Sequence, residues 1–343
     1  MNQENVRSTA RRWGVILAGG KGTRLLPLTR HLAGDDRPKQ FCKIIGNETL
    51  LTQTRRRVAH TITPERTLLV LNGAHERYYA DQVASVPATS LVIQPEDRGT
   101  AAAIIYSLLR IWKLDSEAVA AYFPSDHYFS NEKALMGHLE VAFDAAEARP
   151  GRVALLGIVP QTPETSYGWI ETGDQLTTPP ASRVLAVTRF WEKPSDARAE
   201  VLMRKGCLWN SFIMIGRVKA FLDLIQRTSP KLHERFESIW RTLQTPEEGD
   251  AVREVYSRLA ATNFSADVLS ASPSSLMVLR GCGLGWSDLG EPSRVLAVQR
   301  LNGAEKAATS GFCFTDPNDA TRPPPNRDPS SGFRAKYSNA VAL

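Results

Sequence analysis

The chain has 343 residues, 42% of them hydrophobic and 23% charged, which is the balance of a globular protein with one large core or two modest ones and excludes a disordered chain. Its 42 Lys+Arg against 36 Asp+Glu leave a formal charge of +6, which suits nucleic acid and phosphorylated small molecules alike, so charge does not choose the ligand. No apolar run approaches the ~20 residues that span a bilayer, and the opening MNQENVRSTARRW has no apolar stretch before its arginines, so neither signal peptide nor anchor is expected.

Along the chain, short β-branched runs alternate with longer helical patterns. Strands are predicted at 14–18 (GVILA), 67–72 (TLLVLN), 90–95 (SLVIQP), 118–124 (AVAAYFP) and 152–160 (RVALLGIVP). Between them, 100–114 and 132–148 repeat apolar residues at i, i+3 and i+4, the spacing of amphipathic helices. This alternation predicts α/β architecture: a Rossmann-like, doubly wound, mixed but mainly parallel sheet. After about residue 160 the rhythm changes, with YGWIET and VLAVTRFWEKP as edge strands, LWNSFIMIG as a further strand, and a run of helices over 218–261. These helices are expected to form a small extension completing the first core. A returning strand at 275–281 and a closing helix at 291–301 end the pattern. The expected organisation is an N-terminal extension at 1–12, a main domain at 13–301, and a mobile tail at 302–343, rich in Pro, Ser, Asn and Asp.

The densest basic run, Arg55-Arg56-Arg57, falls on a predicted helix where three successive positions point in different directions. It reads as a solvated face with arginine stems lying on apolar neighbours. Cys42, Cys207, Cys282 and Cys313 lie far apart, with no C-x-x-C pair and no histidines at ligand spacing. They read as reduced, mostly buried thiols of a cytoplasmic protein.

The strand that ends in LAGGKGTR (17–24) places Gly19, Gly20 and Gly22 where the backbone turns sharply, so that successive N–H groups can form an anion-binding concavity. Arg24 and Lys39 add charge at two points, and Pro38 restricts the backbone before Lys39. The loop matches neither G-x-x-x-x-G-K-[ST] nor a clean G-x-G-x-x-G. Asp126 follows an apolar strand and a proline, at the carboxyl end of a strand where α/β folds bind ligands. A carboxylate there suits a hard cation such as Mg²⁺, and Asp288, in a glycine-flanked loop, is the natural second one. Taken alone, either Asp reads first as a cap or turn residue. His127 is assigned a structural role. Glu192 and Lys193 adjoin at a strand end, so their side chains leave on opposite sides; an exposed ion pair with other partners is the alternative. Asn210 can donate and accept at once, and Gly168 lets the backbone come close to a ligand. Trp169, Trp191, Trp209 and Trp286 flank these motifs, where core packing is the commoner use of such rings.

Seven motifs, in order, carry a family resemblance: LAGGKGTRLLPLT…RPKQF (17–41), PEDRGTAAAI (95–104), FPSDH (123–127), PETSYGWI (163–170), FWEKP (190–194), LWNSFIM (208–214) and GWSDLG (285–290). The series resembles sugar-1-phosphate nucleotidyltransferases over about residues 13–300, and PKQF is similar to the mannose-1-phosphate guanylyltransferase branch. The resemblance implies nucleotide binding by Leu17, Ala18, Gly19, Gly20, Gly22, Thr23, Arg24, Lys39, Pro95, Gly99 and Thr100. It implies a metal pair, Asp126 and Asp288, holding Mg²⁺. It places Tyr167, Gly168, Glu192, Lys193 and Asn210 on the sugar phosphate, with Lys193 gripping its phosphate. Arg24, Lys39, Asp126, Lys193 and Asp288 become the catalytic set. The implied reaction joins GTP and mannose 1-phosphate into GDP-mannose and diphosphate, in the cytoplasm, without nucleic-acid or membrane partners; a homodimer stays open.

Two positions depart from the branch. Gly99 stands where asparagine is usual, leaving the backbone of Gly99 and Thr100 to read a purine edge while Thr100 caps the following helix. Phe212 stands where glycine is favoured, so the sugar pocket is expected to be reshaped. These departures keep open another hexose 1-phosphate or another nucleoside triphosphate, and, from a different class, a catalytically idle nucleotide-sugar-binding protein. The cupin-like isomerase domain of some longer family members is not expected, since only the short tail follows residue 301.

Overall fold

The computed structural model describes residues 11–176 and 184–309, with side chains described as far as 302. Its centre is a nine-stranded sheet formed by β1 (Arg12–Leu17), β2 (Thr67–Asn72), β3 (Leu91–Gln94), β4 (Val119–Pro124), β6 (Val153–Ile158), β7 (Gly168–Gln175), β8 (Val184–Glu192), β9 (Leu208–Arg217) and β10 (Leu276–Gly281). The spatial order is β3-β2-β1-β4-β9-β6-β10-β8-β7. β3, β2, β1 and β4 are mutually parallel, while β9 runs antiparallel to both β4 and β6. Two short strands, β5 (Tyr128–Phe129) and β11 (Trp286–Ser287), pair separately.

Strands read as continuous apolar runs because both sheet faces are covered. Along β1, Trp13 and Val15 enter one core cluster and Ile16 the other. Along β2, Leu68 and Val70 alternate in the same way with Leu69 and Leu71. One face is covered by α4 (Thr100–Leu114), α7 (Val218–Thr228), α8 (Pro230–Glu237) and α9 (Glu248–Ser257); the other by α2 (Leu50–Val58), α3 (Glu76–Val83), α5 (Glu132–Ala148) and α6 (Asp196–Arg204). Every residue of α4 from Ala101 to Ile111 is buried, which a helix apolar on all sides requires. α1 (Leu26–Ala33) and α10 (Pro292–Thr309) complete the α-helices among the described residues, and Leu25, Ile44, Leu289, Val295 and Val298 share a third, smaller apolar cluster.

β1 leads outward to β2 and β3, and α4 then carries the chain back to β4 on the other side of β1. The β1/β4 boundary is therefore the point where strand order reverses, the place where open α/β sheets bind ligands. Leu17 and Pro124 are register partners there, so the glycine loop and the Asp126 loop leave the sheet side by side.

Three expectations change. The closing helix, expected to stop at 301, continues to Thr309, because the Ala, Glu and Lys of GAEKAA favour helix over coil. The remainder of the expected tail, 310–343, and residues 1–10 lie outside the described residues. Arg57 is not on a solvated face: its side chain is 3% exposed, pairs with Glu132 at 3.2 Å and lies over the Phe129 ring. Its desolvation is offset by the carboxylate, whereas Arg55 and Arg56 remain more open. Cys42 and Cys207 are buried and Cys282 is exposed; Cys313 lies outside the described residues.

Candidate active site

A cavity of about 420 Å³ opens at the carboxyl ends of β1 and β4. At one end it is walled by Leu17, Gly19, Gly20, Gln94, Gly99 and Thr100, in the middle by Ser125, Asp126 and His127, and at the other end by Tyr167, Gly168, Glu192, Asn210, Phe212, Trp286 and Asp288. A smaller adjoining cavity of about 250 Å³ is lined by Gly22, Thr23, Arg24, Lys39 and Asp126. Asp126 faces both. Of the residues expected at the site, Ala18 is buried beneath the loop, and Pro95 and Lys193 line neither cavity.

The glycine loop owes its shape to one conformational requirement. Gly22 has φ of +60°, and a Cβ there would approach the Lys39 backbone N to 3.2 Å, so the Pro38–Lys39 backbone packs directly over it. That contact delivers Lys39 to the site. Its side chain is 8% exposed, and Nζ lies 3.1 Å from Asp126 Oδ2 while donating to the Asp288 carbonyl at 2.5 Å.

Asp288 is held by its first oxygen. Oδ1 accepts from the Tyr167 hydroxyl at 2.8 Å and the Gly290 N–H at 2.9 Å, and lies 3.0 Å from Arg294 Nε. Burial alone raises its pKa, but His127, Arg294, Lys39 and the Gly290 N–H together bring it below the ordinary carboxylate value. Arg294 also pairs with Glu164 at 2.7 Å and lies over the Tyr167 ring. Asp288 Oδ2 has Arg24 at 3.9 Å, and Asp126 Oδ1 has His127 Nε2 at 4.0 Å. Each carboxylate thus keeps one oxygen without a close partner among the described residues. Among those residues no group of three or more His, Cys, Asp and Glu side chains converges. The donor set, two hard oxygens on a shared cavity, fits a small divalent cation that takes its other ligands from phosphate and water.

His127 packs edge-on against Trp286, whose Nε1–H donates to His127 Nδ1 at 3.3 Å. Burial pushes its pKa below the ordinary 6.5 against the opposing pull of Asp126 and Asp288. Tyr167, Trp169, Trp209 and Trp286 pack edge to face in one aromatic group, but only Tyr167 and Trp286 of these reach the cavity. Trp191 instead lies between Arg189 and Arg198, on neither cavity. Glu192 faces inward and burial raises its pKa against the opposing Lys193, while Lys193 is exposed with φ of +46°.

Both departures have structural causes. Gly99 has φ of +82°, and a Cβ there would collide with the Thr262 carbonyl and come within 2.9 Å of the Thr262 N. The 260–263 loop occupies the space an asparagine side chain needs. Thr100 does not cap α4; it is the first helical residue, and its hydroxyl accepts from the Phe264 N–H at 2.9 Å, tying down that same loop. Phe212 has φ of +61° at an irregularity where β9 slips against β6. Asn210 Oδ1 accepts the Phe212 N–H at 3.0 Å, which leaves the Asn210 amide N–H groups for a ligand. Gln40, Gln94, Ser265 and Arg294 were not singled out by sequence reading, although Gln40 stands inside the PKQF motif and Gln94 just before PEDRG. Ser265 and Arg294 carry no sequence signal, since helices distant in sequence bring them in.

A doubly wound sheet with an open glycine loop and two carboxylates at its switch point defines a phosphate-handling α/β protein. Residues 13–303 match the nucleotidyl transferase family, and the chain belongs to it. The xanthan biosynthesis protein XanB of Xanthomonas campestris pv. campestris is 29% identical over 302 residues, covering 85% of this chain and 60% of that protein. The alginate biosynthesis protein AlgA of Pseudomonas syringae pv. tomato is 30% identical over 80% of this chain and 56% of its own length. A mannose-1-phosphate guanylyltransferase of Klebsiella pneumoniae is 28% identical over 83% of this chain and 59% of its own length. The chain thus spans under two thirds of the length of these curated relatives. A solved structure described as a mannose-1-phosphate geranyltransferase from Thermus thermophilus superposes with a TM-score of 0.71 at 29% identity, covering 82% of this chain and 76% of that one. No helix among the described residues is long and apolar enough to cross a membrane.

Proposed function

We propose that the chain transfers a guanylyl group from GTP to α-D-mannose 1-phosphate, giving GDP-mannose and diphosphate. The observation that carries this is convergence: the glycine loop, Asp126, Asp288, and the Glu192 and Asn210 groups suited to sugar hydroxyls all face one cavity. The relatives named as mannose-1-phosphate guanylyltransferases support the choice of substrates.

Chemistry follows from charge. An oxygen of the sugar phosphate attacks the α-phosphorus of GTP in line; the bond from that phosphorus to the bridging oxygen breaks, and diphosphate leaves with the electron pair. The nucleophile is already anionic, so His127 need not act as a base. The task is to hold two anions together. The glycine-loop N–H groups and Arg24 receive the triphosphate, and Lys39 supplies a buried positive charge between the two carboxylate loops; Lys193, exposed next to Glu192 and outside both cavity linings, would have to swing inward to meet the sugar phosphate. Asp126 and Asp288 would hold Mg²⁺, which when bound neutralises phosphate charge.

Diphosphate release across a matrix of nucleoside triphosphates and hexose 1-phosphates tests the assignment. The highest kcat/KM is expected for GTP with mannose 1-phosphate. A second reading, another base or hexose, is favoured by the loop over Gly99 and by Phe212 in the wall, and a higher value for another pair would replace the first. GDP-mannose binding with no turnover of any pair would identify an idle binder instead.

A further inference from the structure

Gln40 lies in the short turn Lys39–Phe41 and is 2% exposed. Its Nε2 donates both hydrogens to the glycine loop, one to the Ala18 carbonyl at 3.0 Å and one to the Gly20 carbonyl at 2.7 Å. The opposite amide orientation would set Oε1 against two carbonyl oxygens, so the network fixes which way the amide points. A trans peptide holds each C=O opposite the N–H of the next residue. Drawing the Ala18 and Gly20 carbonyls toward Gln40 therefore turns the Gly19 and Lys21 N–H groups away from it. Among the described residues, no acceptor takes the N–H of Gly19 or Lys21, the two donors these carbonyls orient; Gly19 lines the cavity, with Lys21 two residues further along the loop.

A glycine-rich segment has the freedom to flip its peptides, and each flip would replace a donor facing the ligand with a carbonyl oxygen. For an anion, that exchange turns attraction into repulsion. We propose that Gln40 is a positioning residue which locks the peptide orientation of the Gly19–Lys21 loop so that it presents N–H groups to a diphosphate or triphosphate. This rests on the function proposed above, because it takes the polyphosphate as the loop's ligand. Gln40 does not itself have to touch that ligand; it acts through the backbone it holds.

The test is calorimetric binding of inorganic pyrophosphate, in the presence of Mg²⁺, to the full chain and two variants. Gln40→Leu is expected to lose about tenfold or more in pyrophosphate affinity, the scale of losing two hydrogen bonds that preorganise a site, while staying folded with its thermal unfolding midpoint lowered by a few degrees. In Gln40→Glu the carboxylate faces two carbonyls and repels them, whereas the protonated acid regains one donor. Its loss of affinity relative to wild type at the same pH is therefore expected to shrink as pH falls from about 8 to about 5.5, a recovery that Gln40→Leu cannot show and that a purely structural defect would not produce. Wild-type affinity in a folded Gln40→Leu, or a Gln40→Glu loss independent of pH, overturns the inference; the second arm decides alone where the leucine variant does not fold. A wild-type chain that binds no pyrophosphate would overturn the proposed function and this inference together.

Discussion

The glycine loop is pinned from nearby in the chain, Gln40 holding the Ala18 carbonyl across 22 residues. The wall beside it, at Gly99, is shaped from a distance: the hydrogen bond that fixes the 260–263 loop joins Thr100 to Phe264 across 164 residues. On the proposed function, local pinning serves a ligand part that every nucleoside triphosphate shares. On the same function, distant shaping would serve the part that distinguishes one substrate from another, because a loop supplied by another segment can change without disturbing the glycine-loop N–H groups. The two parts should therefore fail differently when mutated, one in rate and the other in stability or selectivity.

The largest expected effect lies where the phosphates are proposed to bind. Asp126→Asn removes the charge that faces Lys39 and one of the two free carboxylate oxygens, and kcat/KM is expected to fall about 10³-fold for every substrate pair alike. Steady-state diphosphate release across pairs, with circular dichroism as a check on the fold, measures it. A loss confined to one base or one sugar would erase the contrast between the two parts.

This contrast also explains what could be seen in the sequence. Predicted strands at 67–72 and helices at 100–114 and 132–148 coincide with β2, α4 and α5, because burial on both faces or a strong 3.6-residue period leaves little choice. α1, α3 and α6 are short and weakly apolar, and were not anticipated. Lys39, Asp126 and Asp288 were singled out from motif and placement, and they stand together in the structure. Arg294, three residues into its helix, was not, since only tertiary packing sets it 3.0 Å from Asp288. The collision of Thr262 with any side chain at position 99 is likewise a property of two distant loops.

At the wall shaped from a distance, Gly99→Asn should act first on stability. Neither its φ of +82° nor the Thr262 backbone leaves room for a side chain, so the 260–263 loop must move at a cost of about 2 kcal/mol or more. Urea unfolding measures this, and an unchanged midpoint would mean the loop yields freely. Phe212→Gly should divide its effect. The left-handed backbone at φ of +61° is relieved by about 1 kcal/mol, but the cavity wall opens, and preference for the best hexose 1-phosphate over its nearest competitor is expected to drop about tenfold. Unaltered selectivity would reduce Phe212 to a strained filler.

Glu192 gives the smallest effect and the one with a pH signature. Burial raises its folded pKa above the ordinary 4.5, Lys193 only partly opposing. A carboxyl whose folded pKa is raised favours the folded state fully below its unfolded value, and that contribution is lost as pH rises through the folded value. The window therefore opens at about 4.5 and extends upward. Glu192→Gln carries no titrating group, so its thermal midpoint should gain on wild type as pH rises from about 4.5 toward 7, by no more than a few degrees. Occupancy should reverse this: hydroxyl donors of a bound hexose stabilise the ionised carboxylate, so saturating sugar phosphate should protect wild type more than the glutamine variant. Equal protection of both would remove Glu192 from the sugar end of the cavity and leave Asn210 as its polar group.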